Sequence, residues 1–408
     1  MLRAIAWCFA IGTLNMFALS PDKAVEQFVK ESGVPSSSIS VKIIDLADGS
    51  VMASHNSGVP LIPASILKSV TTATLLEHAG IDWRYHTRVY IDGPTDMGIL
   101  RGNLIAVGCC DPSLNSGVDP MGEDIIDEIT EMLLYLGINR IEGDIIIDES
   151  DYSGAPRPAS WQAADFKKSY GTGCHAFNFK NNSIGDLSVE NPKEIFSKQL
   201  KATLAKSNID VDGKALSRGQ RTQILDHISS PLDEIMRSCM MRSDNLFAES
   251  MLRTYGKLSG GDGSVEDSSA RELIFCESKG YPMAGVVIRD GSGLSRENRV
   301  TADFMGAILC SNSTDPNYAS FFPLAGQEGT LKKFLAGTEL DSYIAMKTGS
   351  MTGIQCYAGY RLDDDYVPTH VVVVIMNNIG KGREKAKKAA EKMLLNVFCQ
   401  DEKLAANG

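Results

Sequence analysis

Apolar positions first recur at helical spacing over residues 22–32, where Ala24, Val25, Phe28 and Val29 fall on one side. Two strand-like runs follow, 38–45 and 50–55, and Ala47-Asp48-Gly49 between them predicts a β-hairpin. Pro63 opens a second helical run, 64–79, with Ile66, Leu67, Val70, Leu75 and Leu76 as its apolar positions. The pattern changes after residue 80. Short β-like runs (His86–Ile91, Asn103–Val107, Gly143–Ile147) are broken by Gly, Pro and Asp, with one amphipathic helix at 122–136. Residues 150–190 are aromatic, rich in Gly and Asn and weakly periodic, which predicts loop and short strand. Helical spacing returns at 231–241, 245–256 and 265–279. Three strands, Ser342–Lys347, Gln355–Arg361 and His370–Met376, then precede a closing amphipathic helix from Gly382 to Phe398.

This order predicts an α/β fold of α+β character. A largely antiparallel sheet begins with the N-terminal hairpin, ends with the C-terminal three-strand meander, and is flanked by helices from both chain ends and the middle. Residues 21–80 and 231–408 read as one domain, and 81–230 as an inserted, mostly β region. At 408 residues and 43% hydrophobic, the chain can bury a sizeable core without a metal to hold it.

The first twenty residues stand apart. Arg3 precedes an apolar stretch from Ala4 to Leu19, and Pro21-Asp22-Lys23 then opens a polar segment, the pattern of a secretory signal peptide over 1–20. An exported protein is therefore expected, at the periplasm or cell envelope, with membrane association at most peripheral. No later stretch is long enough to span a bilayer; the apolar run Val371–Met376 is a buried strand. Cys8 would leave with the signal, and the remaining even set of cysteines permits disulfides without fixing any pairing. The cysteines form no CxxC and the six histidines no HExxH, so no metal and no cofactor is expected.

Charge removes another class. With 40 Lys plus Arg against 51 Asp plus Glu, the net charge is -11, and no basic run interrupts the acidic balance. Such a surface repels phosphate backbones, so nucleic acid is not an expected partner.

Three short strings carry chemistry. In Ser65-Ile66-Leu67-Lys68 the serine and lysine are three apart at a helix start and share a face. A serine hydroxyl needs a base, and a lysine serves once burial or a neighbouring positive charge loosens its proton. In Ser243-Asp244-Asn245, two-residue spacing would separate the side chains on a helix, but turn or extended backbone just before the helix 245–256 can bring them together. In Lys347-Thr348-Gly349, a positive charge and a hydroxyl suit a substrate carboxylate, and the glycine is expected to let substrate lie against the strand. Single matches mean little, since Ser20-Pro21-Asp22-Lys23 also fits SxxK and Ser54-His55-Asn56 also fits SxN. The ordered triple in these local settings is specific.

With these motifs the chain resembles the S13-type D-alanyl-D-alanine carboxypeptidases, the class C low-molecular-mass penicillin-binding proteins. The likeness extends to Gly102-Asn103-Leu104 with Asp111-Pro112-Ser113-Leu114, to Gly143-Asp144 with Ile147-Asp148-Glu149-Ser150, and to Asp290-Gly291-Ser292-Gly293-Leu294-Ser295-Arg296. The long interval between Ser65 and Ser243 matches the family's large insertion. The resemblance implies a β-lactamase/transpeptidase-like serine core acting on peptidoglycan peptides and trapped by β-lactam antibiotics. It further implies Ser65 as the acylated nucleophile, Lys68 as its base, and Ser243 with Asn245 as the second motif. Lys347 and Thr348 would hold the terminal carboxylate, beside Gly349. The backbone N–H groups of Ser65 and Ser350 would form the oxyanion hole, and Asp148 and Arg296 are substrate-side candidates. Cys109-Cys110 stand where glycines are usual before Asp-Pro, and Thr352 where some relatives carry a glutamine.

The leading expectation is a serine D-Ala-D-Ala carboxypeptidase, with DD-endopeptidase activity as an extension. The alternatives are a β-lactamase or esterase on the same scaffold, or a cell-wall-binding protein with a dead site. The insertion and the lack of an E-x-x-L-N string between Ser243 and Lys347 disfavour the β-lactamase, and the intact triple disfavours the dead site.

Overall fold

A computed structural model of the chain describes residues 19–117, 124–214, 216 and 219–399. The predicted signal segment lies outside the described residues except for Leu19 and Ser20. In chain order, α1 (Pro21–Glu31) leads into the hairpin β1 (Ile39–Asp45) and β2 (Val51–His55), then α2 (Lys68–Ala79). The middle contributes β3 (His86–Ile91), β4 (Leu104–Val107), α3 (Ile125–Tyr135), β5 (Ile145–Asp148), α4 (Pro192–Lys206) and β6 (Thr222–Ile228). Helices α5 (Leu232–Arg242), α6 (Asn245–Leu258), α7 (Val265–Ser278) and α8 (Ala302–Asn312) follow. Strands β7 (Ile344–Met351), β8 (Ile354–Leu362) and β9 (Pro368–Met376) and helix α9 (Arg383–Phe398) are the last of the described elements.

The main sheet has the order β7-β8-β9-β1-β2 and is antiparallel throughout. The register Ile39↔Met376 to Asp45↔His370 places the first strand of the chain beside the last. Period-two alternation then divides β9 between two layers. Val371, Val373 and Ile375 enter the core shared with α2, α5, α6 and α8, while Val372, Val374 and Met376 enter the core shared with α1 and α9. Both faces of β9 are covered, which explains its unbroken apolar run.

The middle segment builds its own four-stranded sheet, β6-β3-β4-β5, with β4 and β5 parallel. Its core joins Val89, Leu104 and Ala106 to Ile129 and Leu133 of α3 and Phe196, Leu200 and Leu204 of α4. Helices α4 and α8 and strand β6 fall where no element was expected. Helix α4 buries a single row, Phe196, Leu200 and Leu204, behind Pro192 at its first turn. Its other faces are so polar that the periodic signal is weak. Among the described residues no helix is long and apolar enough to cross a membrane.

Candidate active site

The run predicted as one helix from 64 is two pieces. Ala64–Leu67 is a 3₁₀ turn, and the α-helix begins at Lys68. Ala64 itself sits at φ +48°, so the chain turns sharply just before Ser65. Ser65 is half-buried, whereas Lys68 has no solvent exposure. Lys68 Nζ donates to Ser65 Oγ at 3.0 Å, to Asn245 Oδ1 at 2.6 Å and to the Ser292 carbonyl at 2.7 Å. Burial pushes its pKa below the ordinary lysine value, more strongly than Cys239, Asp290 and Glu249 nearby push it back up. An ammonium that already hydrogen-bonds a serine hydroxyl and yields its proton readily is suited to become that serine's base.

Ser243 ends α5 in the left-handed conformation (φ +57°, ψ +40°), and Asn245 opens α6. This turn between two helices resolves the two-residue spacing: the two side chains leave different backbone regions, Ser243 Oγ meeting Lys347 Nζ and Asn245 Oδ1 meeting Lys68 Nζ. Asp244 between them caps α6 by accepting from Phe247 N–H at 3.3 Å. The Asn245 amide also donates to the Tyr170 carbonyl at 2.7 Å, which brings the middle segment to the site.

Lys347, Thr348, Gly349 and Ser350 lie on β7, an edge strand that runs four residues past the predicted end. Lys347 is fully buried, and its Nζ donates to Ser243 Oγ at 2.8 Å and to the Thr348 carbonyl at 3.0 Å. Burial, followed by the charge of Lys68, lowers its pKa well below the usual lysine value. An arriving carboxylate would favour its charged form. Thr348 Oγ1 lies 2.8 Å from Thr330 Oγ1.

The expected role of Gly349 needs correction. A Cβ there would lie 2.6 Å from the Pro63 carbonyl and 3.2 Å from Ala64 Cβ. The glycine clears room for the turn that carries Ser65, not for a substrate. Gly293 does the same from the other side: at φ +81°, its Cβ would fall 2.0 Å from the Ala64 carbonyl.

Asp290 organises the loop that supplies the Ser292 carbonyl. Its carboxylate accepts from Gly293 N–H at 2.9 Å, Ser295 N–H at 2.6 Å, Asn298 Nδ2 at 2.7 Å and Trp161 Nε1 at 2.7 Å. Behind the loop, buried Glu249 accepts from Ser292 N–H at 2.8 Å; burial and then Asp290 push its pKa up to about 8. Carbonyl contacts such as those of Ser292 and Tyr170 carry no residue signature, so sequence reasoning missed them.

Arg296 reaches the turn after β7, donating to the Thr352 carbonyl at 3.3 Å. Arg383, which sequence reasoning did not single out, donates from the start of α9 to Ser350 Oγ and the Met351 carbonyl. Asp148 ends β5 and is committed to Arg221, whose Nη2 lies 2.6 Å away. That hydrogen bond first, and then Ser150, holds its carboxyl at about 2. These described contacts of Asp148 lie within the middle segment, apart from the Ser65–Lys68–Asn245 cluster. Among the described residues no group of His, Cys, Asp and Glu could hold a metal ion.

Comparison with known proteins places the chain in a family. The D-Ala-D-Ala carboxypeptidase 3 (S13) family matches residues 22–186 and 172–397. The chain belongs to this family. It is 27% identical over 382 residues to a carboxypeptidase DacB of Mycolicibacterium smegmatis, covering 88% of this chain and 81% of that protein. It is 24% identical over 407 residues to a D-alanyl-D-alanine carboxypeptidase of an Actinomadura species, covering 78% and 74%. The crystal structure of penicillin-binding protein 4 from Haemophilus influenzae shares the fold at a TM-score of 0.81 and 20% identity, covering 91% of this chain and 98% of that one. Membership makes the chain a serine-type D-Ala-D-Ala carboxypeptidase acting on peptidoglycan, with the expected α/β serine core and its additional β region.

Proposed function

We propose that the carboxypeptidase activity runs through an acyl-enzyme on Ser65. Ser65 Oγ attacks the carbonyl of the penultimate D-alanine while its proton passes to Lys68 Nζ, which has first given up its own proton and stands as the neutral amine. The tetrahedral oxyanion is met by the N–H groups of Ser65 and Ser350. Ser243 relays a proton to the departing D-alanine amine, and water then hydrolyses the ester on Ser65. Lys347 and Thr348 meet the terminal carboxylate, and Asn245 holds the peptide amide and the position of Lys68. β-Lactams react at the same hydroxyl, and the activity extends to D-Ala-containing cross-links as a DD-endopeptidase. Residues 21–80 and 231–408 act as the catalytic domain, with 81–230 as its insert.

The observation that carries this reading is the buried Lys68 Nζ, held within hydrogen-bond reach of Ser65, Asn245 and the Ser292 carbonyl at once. It is tested by D-alanine release from a peptide ending in D-Ala-D-Ala. Wild-type protein should release it and Ser65→Ala should not, with its circular dichroism unchanged; release by folded S65A would assign the wrong serine. The same reading includes export to the cell envelope, and an N-terminal mass from the native host that still contained Met1–Ser20 would contradict that part.

A further inference from the structure

Outside the catalytic cluster, Cys110 and Cys174 face one another in the interior. Their Sγ atoms are 3.5 Å apart and both residues have no solvent exposure. The neighbouring Cys109 turns the other way, with its Sγ 3.3 Å from Thr87 Oγ1. The two segments are already in register, since Cys110 N–H donates to the Ala176 carbonyl at 2.7 Å. Helix α6 holds both from one side: Ser250 Oγ donates to the Cys110 carbonyl and Arg253 Nη1 to the Cys174 carbonyl. Leu246, which follows Asn245, closes the same small cluster. Cys110 also adopts φ +67°, a conformation that favours glycine. A side chain with a sulfur aimed at a second cysteine is thus kept at a backbone position that disfavours any side chain.

We propose that Cys110 and Cys174 are joined as a structural disulfide, which ties together the two middle-segment loops that pack against the helix carrying Asn245. A disulfide has S–S of about 2.05 Å, so the sulfurs need approach by only ~1.5 Å. The bond forms by exchange with a small disulfide oxidant. The Cys110 thiolate attacks one oxidant sulfur and expels a thiolate. Cys174 then loses its proton and attacks the Cys110 sulfur of the mixed disulfide, expelling the second thiol. Two protein thiols are oxidised and one oxidant disulfide is reduced to two thiols. Because the finished fold encloses both sulfurs, the exchange belongs to folding, and the completed bond is shielded from reductants. The pair closes a loop across 64 positions, long enough for the link to restrict the unfolded chain substantially.

The test folds the full chain with oxidised and reduced glutathione, blocks remaining thiols with N-ethylmaleimide in denaturant, and maps unreduced peptides by mass. The peptides bearing Cys110 and Cys174 should appear as one linked species that separates on reduction. The link should survive in Cys109→Ser and vanish in Cys110→Ser, and protein folded with reductant throughout should melt ~5 °C lower. Both peptides appearing with blocked thiols after oxidative folding would overturn the proposal. So would loss of the link in C109S or its retention in C110S. The C109S arm decides the matter even where C110S fails to fold.

Discussion

Lys347 Nζ donates to Ser243 Oγ at 2.8 Å, so the edge strand and the turn between two helices meet through one buried ammonium. That ammonium sits in an unfavourable setting, pressed toward neutrality by burial and by Lys68. A substrate carboxylate relieves the penalty. Lys347→Ala should therefore weaken acylation by a carboxylate-bearing substrate on the order of 10-fold to 100-fold, as for a lost charge-assisted hydrogen bond, and by its amide counterpart much less. Equal losses on both would reassign Lys347 to support of the strand.

Asn245 offers a different handle on the base. Its Oδ1 accepts from Lys68 Nζ at 2.6 Å, so Asn245→Asp would place a negative charge against that ammonium. An opposite charge favours the protonated lysine, so its pKa should rise from its lowered value and the alkaline-side increase in acylation rate should move to higher pH. The rate-against-pH profile of N245D measures this directly, and an unshifted profile would remove Lys68 from the role of base.

Gly293 has a steric task. Gly293→Ala would put a methyl 2.0 Å from the Ala64 carbonyl at φ +81°, so the turn bearing Ser65 must move. Acylation should fall by about 10²-fold, the cost of displacing a reacting group by roughly 1 Å. A burst-phase measurement with a chromogenic β-lactam gives the rate, and near-wild-type acylation would show that the turn tolerates the shift.

The motifs were legible because each is a side-chain requirement: a nucleophile, a base at helical spacing, a cation with a hydroxyl on a strand. The buried strands and the amphipathic C-terminal helix were legible from periodicity. Much of what sequence reading missed acts through backbone. The Ser292 and Tyr170 carbonyls hold Lys68 and Asn245, and any residue type could supply them. Gly349 was legible as a close approach but not as an approach to Pro63, because its neighbour comes from a distant part of the chain. Helix α4 was hidden by its single apolar row, and Arg383 by its place on a helix read only for packing.

Glu272 on α7 links the buried acids to stability. It has no solvent exposure, and its carboxyl is pushed up to about 8, chiefly by burial and further by Glu249 and Asp290. A folded pKa above the unfolded value of 4.5 means that its contribution is fully present below about pH 4.5 and is lost as pH rises through about 8. Glu272→Gln cannot titrate. The stability of wild type relative to E272Q should therefore decline across that window in urea unfolding at stepped pH. A constant difference would place the Glu272 pKa at its ordinary value.

The central claim is that Ser65 is the residue acylated. Its most direct measurement is the mass of the intact protein and of its peptides after brief exposure to a fluorescent penicillin. A single adduct equal to the whole penicillin should appear on the peptide containing Ser65, and it should be absent in Ser65→Ala. An adduct on any other residue, or labelling retained by S65A, would contradict the account.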